Sequence, residues 1–193
     1  MNVIKIDKNN LVNGPGARVV LWLAGCCHNC PECHNPETQD SELGHAFSEA
    51  DREILYKQLK SKNIDGITIT GGDPLMLYNY PDLLALLKDI RIKFPNKTIW
   101  MWTGYRFEHV LDNDLLKYID VLVDGRFIKE LKPKRKALRY RGSLNQRVID
   151  IQKTLESGDI TYWEDFDGWK SSKDKVKSLE ETFKQYKIEA QAL

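Results

Sequence analysis

Residues 18–35 read Arg18-Val19-Val20-Leu21-Trp22-Leu23-Ala24-Gly25-Cys26-Cys27-His28-Asn29-Cys30-Pro31-Glu32-Cys33-His34-Asn35. The run from Arg18 to Ala24 is almost continuously apolar, the pattern of a strand buried on both faces, as in a parallel sheet. Working outward, Ser48 offers an N-cap with Asp51 three residues on, and Ile54, Leu55 and Leu59 continue at helical spacing until Asn63 and Gly66. Ile67-Thr68-Ile69-Thr70 is a second strand that runs straight into Gly71-Gly72-Asp73-Pro74. Tyr80 to Phe94 predicts a second helix with Pro81 in its first turn. Thr98 to Thr103 predicts a third strand closed by Gly104, Glu108 to Tyr118 a third helix, and Val121 to Val123 a fourth strand closed by Asp124-Gly125. Short strands alternating with helices define an α/β chain with a parallel sheet, either barrel-like or doubly wound. Its functional loops are expected at the strand C-termini. Those loops carry the cysteines, Gly71-Gly72-Asp73-Pro74, Thr103-Gly104-Tyr105 and Asp124-Gly125-Arg126.

The whole chain has 193 residues, enough for one domain and a short appendage. Its hydrophobic fraction of 41% excludes a natively disordered chain. A formal net charge of +1 argues against a surface built to condense on nucleic acid or anionic lipid. The longest apolar run, Val19 to Cys27, is too short to span a membrane, and Lys5, Asp7 and Lys8 spoil a signal peptide. A cytoplasmic protein is expected. The division expected is a domain over 1–155 and an extension over 156–193, where Val176, Leu179, Phe183 and Tyr186 make one apolar helical stripe that packs on the body or on a second copy in a homodimer. Lys129, Lys132, Lys134, Arg135, Lys136, Arg139 and Arg141 form the densest charge run. It is either a solvated loop or a docking patch for a partner.

All four cysteines lie within eight residues, whereas a disulfide framework spreads its cysteines along the chain. Two spacings coexist. Cys26, Cys30 and Cys33 give C-x3-C-x2-C, and Cys27, Cys30 and Cys33 give C-x2-C-x2-C. Either supplies three thiolates, one short of a closed zinc site or a fully ligated 4Fe-4S cluster. His28, His34, His45 or His109 would have to complete a zinc site. A cluster with three thiolates and one open iron is the other option, and an open metal position is a catalytic design.

At these residues the chain resembles the radical S-adenosylmethionine superfamily, with C-x3-C-x2-C in the loop after the first strand of a partial (β/α) barrel. The resemblance implies a 4Fe-4S cluster held by Cys26, Cys30 and Cys33, with Cys27 a spare thiol. Gly71-Gly72-Asp73-Pro74 matches the turn that receives the methionine amino group of S-adenosylmethionine. The cofactor contacts implied are Glu32, Cys33, His34, Gly71, Gly72 and Asp73.

Within the superfamily the chain is similar to the activating proteins of anaerobic ribonucleoside-triphosphate reductases. The matching stretches are Asn13 to Arg18, the cysteine loop with His28 and Asn35, Gly71 to Leu75, Thr103-Gly104-Tyr105, Asp120 to Phe127, and Arg141 to Arg147. They span about residues 10 to 150. His34 stands where this family usually has tyrosine, and Glu32 where the superfamily often has a hydrophobic or small residue.

The reaction implied is one-electron reductive cleavage of S-adenosylmethionine to methionine and a 5′-deoxyadenosyl radical, which takes a hydrogen from a glycine of the reductase large subunit. A reduced flavodoxin or similar protein would be the donor. The rivals are an activase of another glycyl-radical enzyme, a small-molecule radical enzyme such as a deazapurine synthase, and a zinc or iron–sulfur scaffold module. The segment Arg141-Gly142-Ser143 to Arg147 favours the reductase branch.

Overall fold

A computed structural model describes residues 1–132 and 139–163. The chain divides into two units, Met1–Tyr162 and Trp163–Leu193, and the description below concerns the first. The apolar stripe expected over 176–186, and Lys134, Arg135 and Lys136 of the basic run, lie outside the described residues.

Seven strands form one sheet: β1 (Asn2–Asn10), β2 (Arg18–Leu23), β3 (His45–Ala46), β4 (Gly66–Gly71), β5 (Thr98–Trp102), β6 (Val121–Asp124) and β7 (Arg147–Asp150). Their order is β3-β1-β2-β4-β5-β6-β7. The central four, β2, β4, β5 and β6, are parallel, and they are the four strands the sequence predicts. They advance in one direction, without the reversal of order that marks a doubly wound sheet. β1 and β7 flank them antiparallel.

Helices α1 (Glu49–Leu59) and α2 (Tyr80–Lys93) connect β2 to β4 and β4 to β5. Ser48 and Asp51 close a reciprocal capping box on α1, and Pro81 sits in the first turn of α2. The helix expected over Glu108–Tyr118 is instead two short 3-10 turns, Phe107–His109 and Asp114–Tyr118. Asn113 breaks it, since its side-chain oxygen accepts from Leu115 N at 3.0 Å and caps a new turn. A third helix, α3 (Ile151–Ser157), follows β7 and ends at Gly158, and Tyr162 bridges back to Ile149.

Side chains alternate across the sheet. One face gives Val19, Leu21, Leu23, Ile67, Ile69, Ile99, Met101 and Leu122 to a core shared with Leu55, Leu59, Leu83, Leu86, Leu87 and Ile90 of the helices. The other face is more polar, with Arg18, Thr68, Thr70, Trp100, Trp22 and Trp102. Arg18 is fully buried there. Its guanidinium donates to Thr68 Oγ1 (2.8 Å), Ile67 O (2.7 Å), Thr98 Oγ1 (2.8 Å) and Thr98 O (2.9 Å), and it lies over the Trp100 ring. Burial lowers its pKa to about 10, so it remains a cation at neutral pH. Full hydrogen bonding is what makes this buried charge tolerable.

No helix among the described residues is long and apolar enough to cross a membrane.

Candidate functional site

Because β2, β4, β5 and β6 run parallel, the loops that follow them gather at one edge of the sheet. The backbone ties the first two together: Gly72 N donates to Leu23 O at 2.7 Å and Asp73 N to Gly25 O at 2.8 Å. The cysteine loop is then anchored at its far side by Gly25 N to Thr38 O (2.7 Å) and Cys26 N to Gln39 O (3.0 Å). Asn29 and Glu32 take left-handed backbone conformations, φ 46° and 53°, which fold the loop back on itself.

Asp73 is the centre of the arrangement. Its side chain is 1% exposed and accepts from four residues. Oδ1 receives Leu75 N and Thr103 Oγ1 at 2.9 Å each, and Oδ2 receives Thr103 Oγ1 at 2.8 Å, Gly104 N at 2.9 Å and His28 Nε2 at 2.6 Å. With both oxygens engaged by protein donors, this carboxylate works as a joint between loops. The His28 ring also stands edge-on to Tyr105, centroids 4.6 Å apart, and Arg126 donates to the His28 carbonyl. A Cβ at Gly104 would overlap the His28 ring. The glycine therefore allows the close approach.

The glycines of the Gly-Gly-Asp-Pro turn answer to the same packing. The sequence suggests that they let a ligand come close, but a Cβ at Gly72 would fall on the Gly25 carbonyl oxygen, and one at Gly71 would lie 2.5 Å from Leu23 O. Both are needed where the turn meets the backbone of β2 and the cysteine loop.

Cys26, Cys30 and Cys33 are half-buried and Cys27 is exposed, its Sγ 3.5 Å from the Tyr105 hydroxyl. That contact, with burial, raises the Tyr105 pKa. Burial pushes the Cys26 thiol up to about 11, opposed by a hydrogen bond from the His28 backbone. A thiol held up in this way is a poor nucleophile by itself, and a cation is what converts it to thiolate. Asn35 N donates to Cys33 Sγ at 3.4 Å, the kind of N–H···S contact that tunes iron–sulfur clusters. Three half-buried thiols on one folded loop, with the Cys33 sulfur receiving the Asn35 N–H, suit a cluster. Among the described residues no three His, Cys, Asp or Glu side chains converge closely enough to hold a single metal ion, the arrangement a zinc site needs.

A cavity of about 310 Å³ opens beside the loop, lined by Cys33, His34 and Asn35 from it and by Trp22, Thr70 and Trp102 from the polar face of the sheet. Phe127, Arg141 and Gln146 line it as well. His34 packs on Phe127, ring centroids 5.1 Å apart. Of the six cofactor contacts expected, Cys33 and His34 line this cavity. Glu32 points elsewhere and pairs with Lys129, while Gly71, Gly72 and Asp73 brace the cysteine loop. Arg141 is largely buried and donates to Gln146 O at 2.9 Å, so it and Lys129 are both engaged within the chain. Thr103 and Tyr105 are residues whose site role the sequence reading did not assign, and His28 was read there only as one of four possible zinc ligands. The available signals were their position in loops that follow parallel strands and in the stretches that carry the family resemblance.

On the flank, Arg147 spans Asp124 and Glu108, donating to Glu108 Oε1 and Oε2 at 2.8 Å each. Arg147 holds Glu108 down to about 2, from 4.5. A lowered carboxylate pKa adds stability that is complete above about pH 5 and is lost as pH falls toward 2. Glu108→Gln is therefore expected to be less stable than the parent at pH 7, by under about 1 kcal/mol because the side chain is half exposed. Denaturant curves of the two should converge near pH 2. A constant gap across that range would sever the link to Glu108 ionisation.

The loop and its donors define an iron–sulfur protein, and the family described as a 4Fe-4S single cluster domain matches residues 12–149. The chain is 41% identical over 148 residues to the anaerobic ribonucleoside-triphosphate reductase-activating protein of Enterobacteria phage T4, covering 77% of this chain and 93% of that protein. It is 41% identical over 156 residues to the protein of the same name from Escherichia coli K12, covering 79% of this chain and all of that one. The Vibrio cholerae protein of that name is 39% identical over 152 residues, 77% of this chain and 97% of its own length. This chain belongs to the family of anaerobic ribonucleoside-triphosphate reductase-activating proteins.

Proposed function

We propose that the protein activates an anaerobic ribonucleoside-triphosphate reductase by installing a glycyl radical on its large subunit, with a 4Fe-4S cluster held by Cys26, Cys30 and Cys33 and with S-adenosylmethionine as co-substrate. The observation that carries this reading is the C-x3-C-x2-C loop after the first parallel strand, beside a cavity, in a chain about two-fifths identical to proteins named for that activity. The open sheet is read as the partial (β/α) barrel of the radical S-adenosylmethionine type. Its one-directional strand order and polar inner face favour this.

Held by Cys26, Cys30 and Cys33, a cluster would supply the one-electron reducing power for cleavage of S-adenosylmethionine to methionine and a 5′-deoxyadenosyl radical, the species that would take a hydrogen atom from the glycine Cα. The chain's own contribution is to bind, orient and exclude water. Cys33 and His34 on one wall, with Trp22 and Trp102 from the sheet, give the adenosyl portion apolar and aromatic surface. The joint at Asp73 holds the loops that frame the cavity, so the cysteines are fixed before the co-substrate arrives. No side chain is assigned as general acid or base. The electron donor is read as a reduced flavodoxin or a similar protein, and the setting as cytoplasmic.

The test is anaerobic reconstitution with iron and sulfide, reduction with dithionite, and addition of S-adenosylmethionine with the cognate reductase. The expected products are 5′-deoxyadenosine and methionine in equal amounts and a glycyl-radical signal by electron paramagnetic resonance. Loss of both products with an intact cluster would refute the reading. Cleavage without a reductase radical would refute the assigned target.

A further inference from the structure

The His28 side chain is 9% exposed and sits between two of the cysteines, yet it takes no part as a ligand in the reading above. Two of its polar groups reach two different loops. The ring donates to Asp73 Oδ2 at 2.6 Å, and the carbonyl accepts from Arg126 in the loop after β6. The ring is further confined by Tyr105 edge-on and by Gly104, where any side chain would collide with it. Asp73 in turn is fixed from its other side by Thr103 and Leu75. A residue whose ring and carbonyl are both committed has one conformation, and that conformation fixes the backbone that joins Cys26 and Cys27 to Cys30.

We propose that His28 is a positioning residue for the cluster: clamped through its ring to Asp73 and through its carbonyl to Arg126, it fixes the backbone between Cys26 and Cys30 and thereby the orientation of those ligands. The length of Asp73 is part of the device. A glutamate here would carry its carboxylate one methylene further, into the space the His28 ring occupies at 2.6 Å. Asp73 and His28 are thus a matched pair, and this rests on Cys26 being a ligand.

The test uses the full chain, anaerobically reconstituted, with His28→Leu, which keeps bulk but cannot donate, and His28→Gln, whose amide can reach Asp73. In His28→Leu, iron is expected to leave to a chelator at least tenfold faster. The cluster's reduction potential should also shift, because a loosened loop changes the hydrogen bonding and solvent exposure of the cluster sulfurs. His28→Gln is expected to stay within about twofold of the parent in release rate and to keep its potential. A role confined to general stability would change melting temperature without moving the potential or being rescued by Gln. The proposal is overturned if His28→Leu keeps the parent's release rate and potential, or if His28→Gln is as impaired as Leu. Should His28→Leu not yield soluble protein, Thr103→Val, which loosens Asp73 from the opposite side, must produce the same two changes or the proposal fails. Cys26→Ala is the separate control. A stable cluster in that variant removes the ligand reading itself, whatever His28 does.

Discussion

Replacing Cys26, Cys30 or Cys33 with Ala is expected to abolish the competent cluster and with it S-adenosylmethionine cleavage, while Cys27→Ala keeps most of the iron and most of the activity. The sequence leaves two spacings open, because Cys26 and Cys27 are neighbours. Their surroundings differ: Cys26 is half-buried and anchored through its own N–H to Gln39 O, whereas Cys27 is exposed and faces the Tyr105 hydroxyl, which favours Cys26 as the ligand. The expected loss for each of the three ligands is greater than tenfold in cluster content, since a cluster already short of a fourth protein ligand has no replacement thiolate in place. Iron and sulfide analysis with a cleavage assay settles it. An inactive Cys27→Ala beside an active Cys26→Ala would reverse the assignment.

Gly72→Val is expected to cost about 3 kcal/mol or more and to deplete the cluster, because the new Cβ would fall on the Gly25 carbonyl oxygen and must push the cysteine loop away from the turn. From the sequence alone, the same substitution predicts a narrower effect: weaker S-adenosylmethionine binding with the cluster intact. The two outcomes are distinguished by iron content and thermal melting of the variant. Parent-like melting and iron with weakened binding would favour the ligand-contact role expected from the sequence.

The four parallel strands were legible because their central residues are buried on both faces, which leaves unbroken apolar runs at Val19–Leu23 and Val121–Val123 and a β-branched Ile-Thr-Ile-Thr run at 67–70. β1 was not, since only Val3 of its nine residues is buried, and a strand with one shallow buried contact leaves no alternation to read. β7, Arg147-Val148-Ile149-Asp150, has only Ile149 buried and carries no apolar run like that of the equally short β6. The third helix failed at Asn113, whose side chain competes for the backbone in a way that periodicity cannot weigh. In the site, the cysteine spacing carried its own chemistry. Asp73 did not, because its donors come from His28, Thr103 and Gly104, which sequence separation hides from one another.

That separation has a kinetic meaning. The contacts that close on Asp73 span 45 residues to His28 and 30 to Thr103, so they form only when three strands have already been laid side by side. Closing such long loops is entropically slow compared with winding α1 or α2. The cysteine loop therefore cannot take its final form from local sequence alone: the same long separations that align β2, β4 and β5 bring His28, Asp73 and Thr103 together, so the geometry of the thiols is tied to the assembly of the sheet.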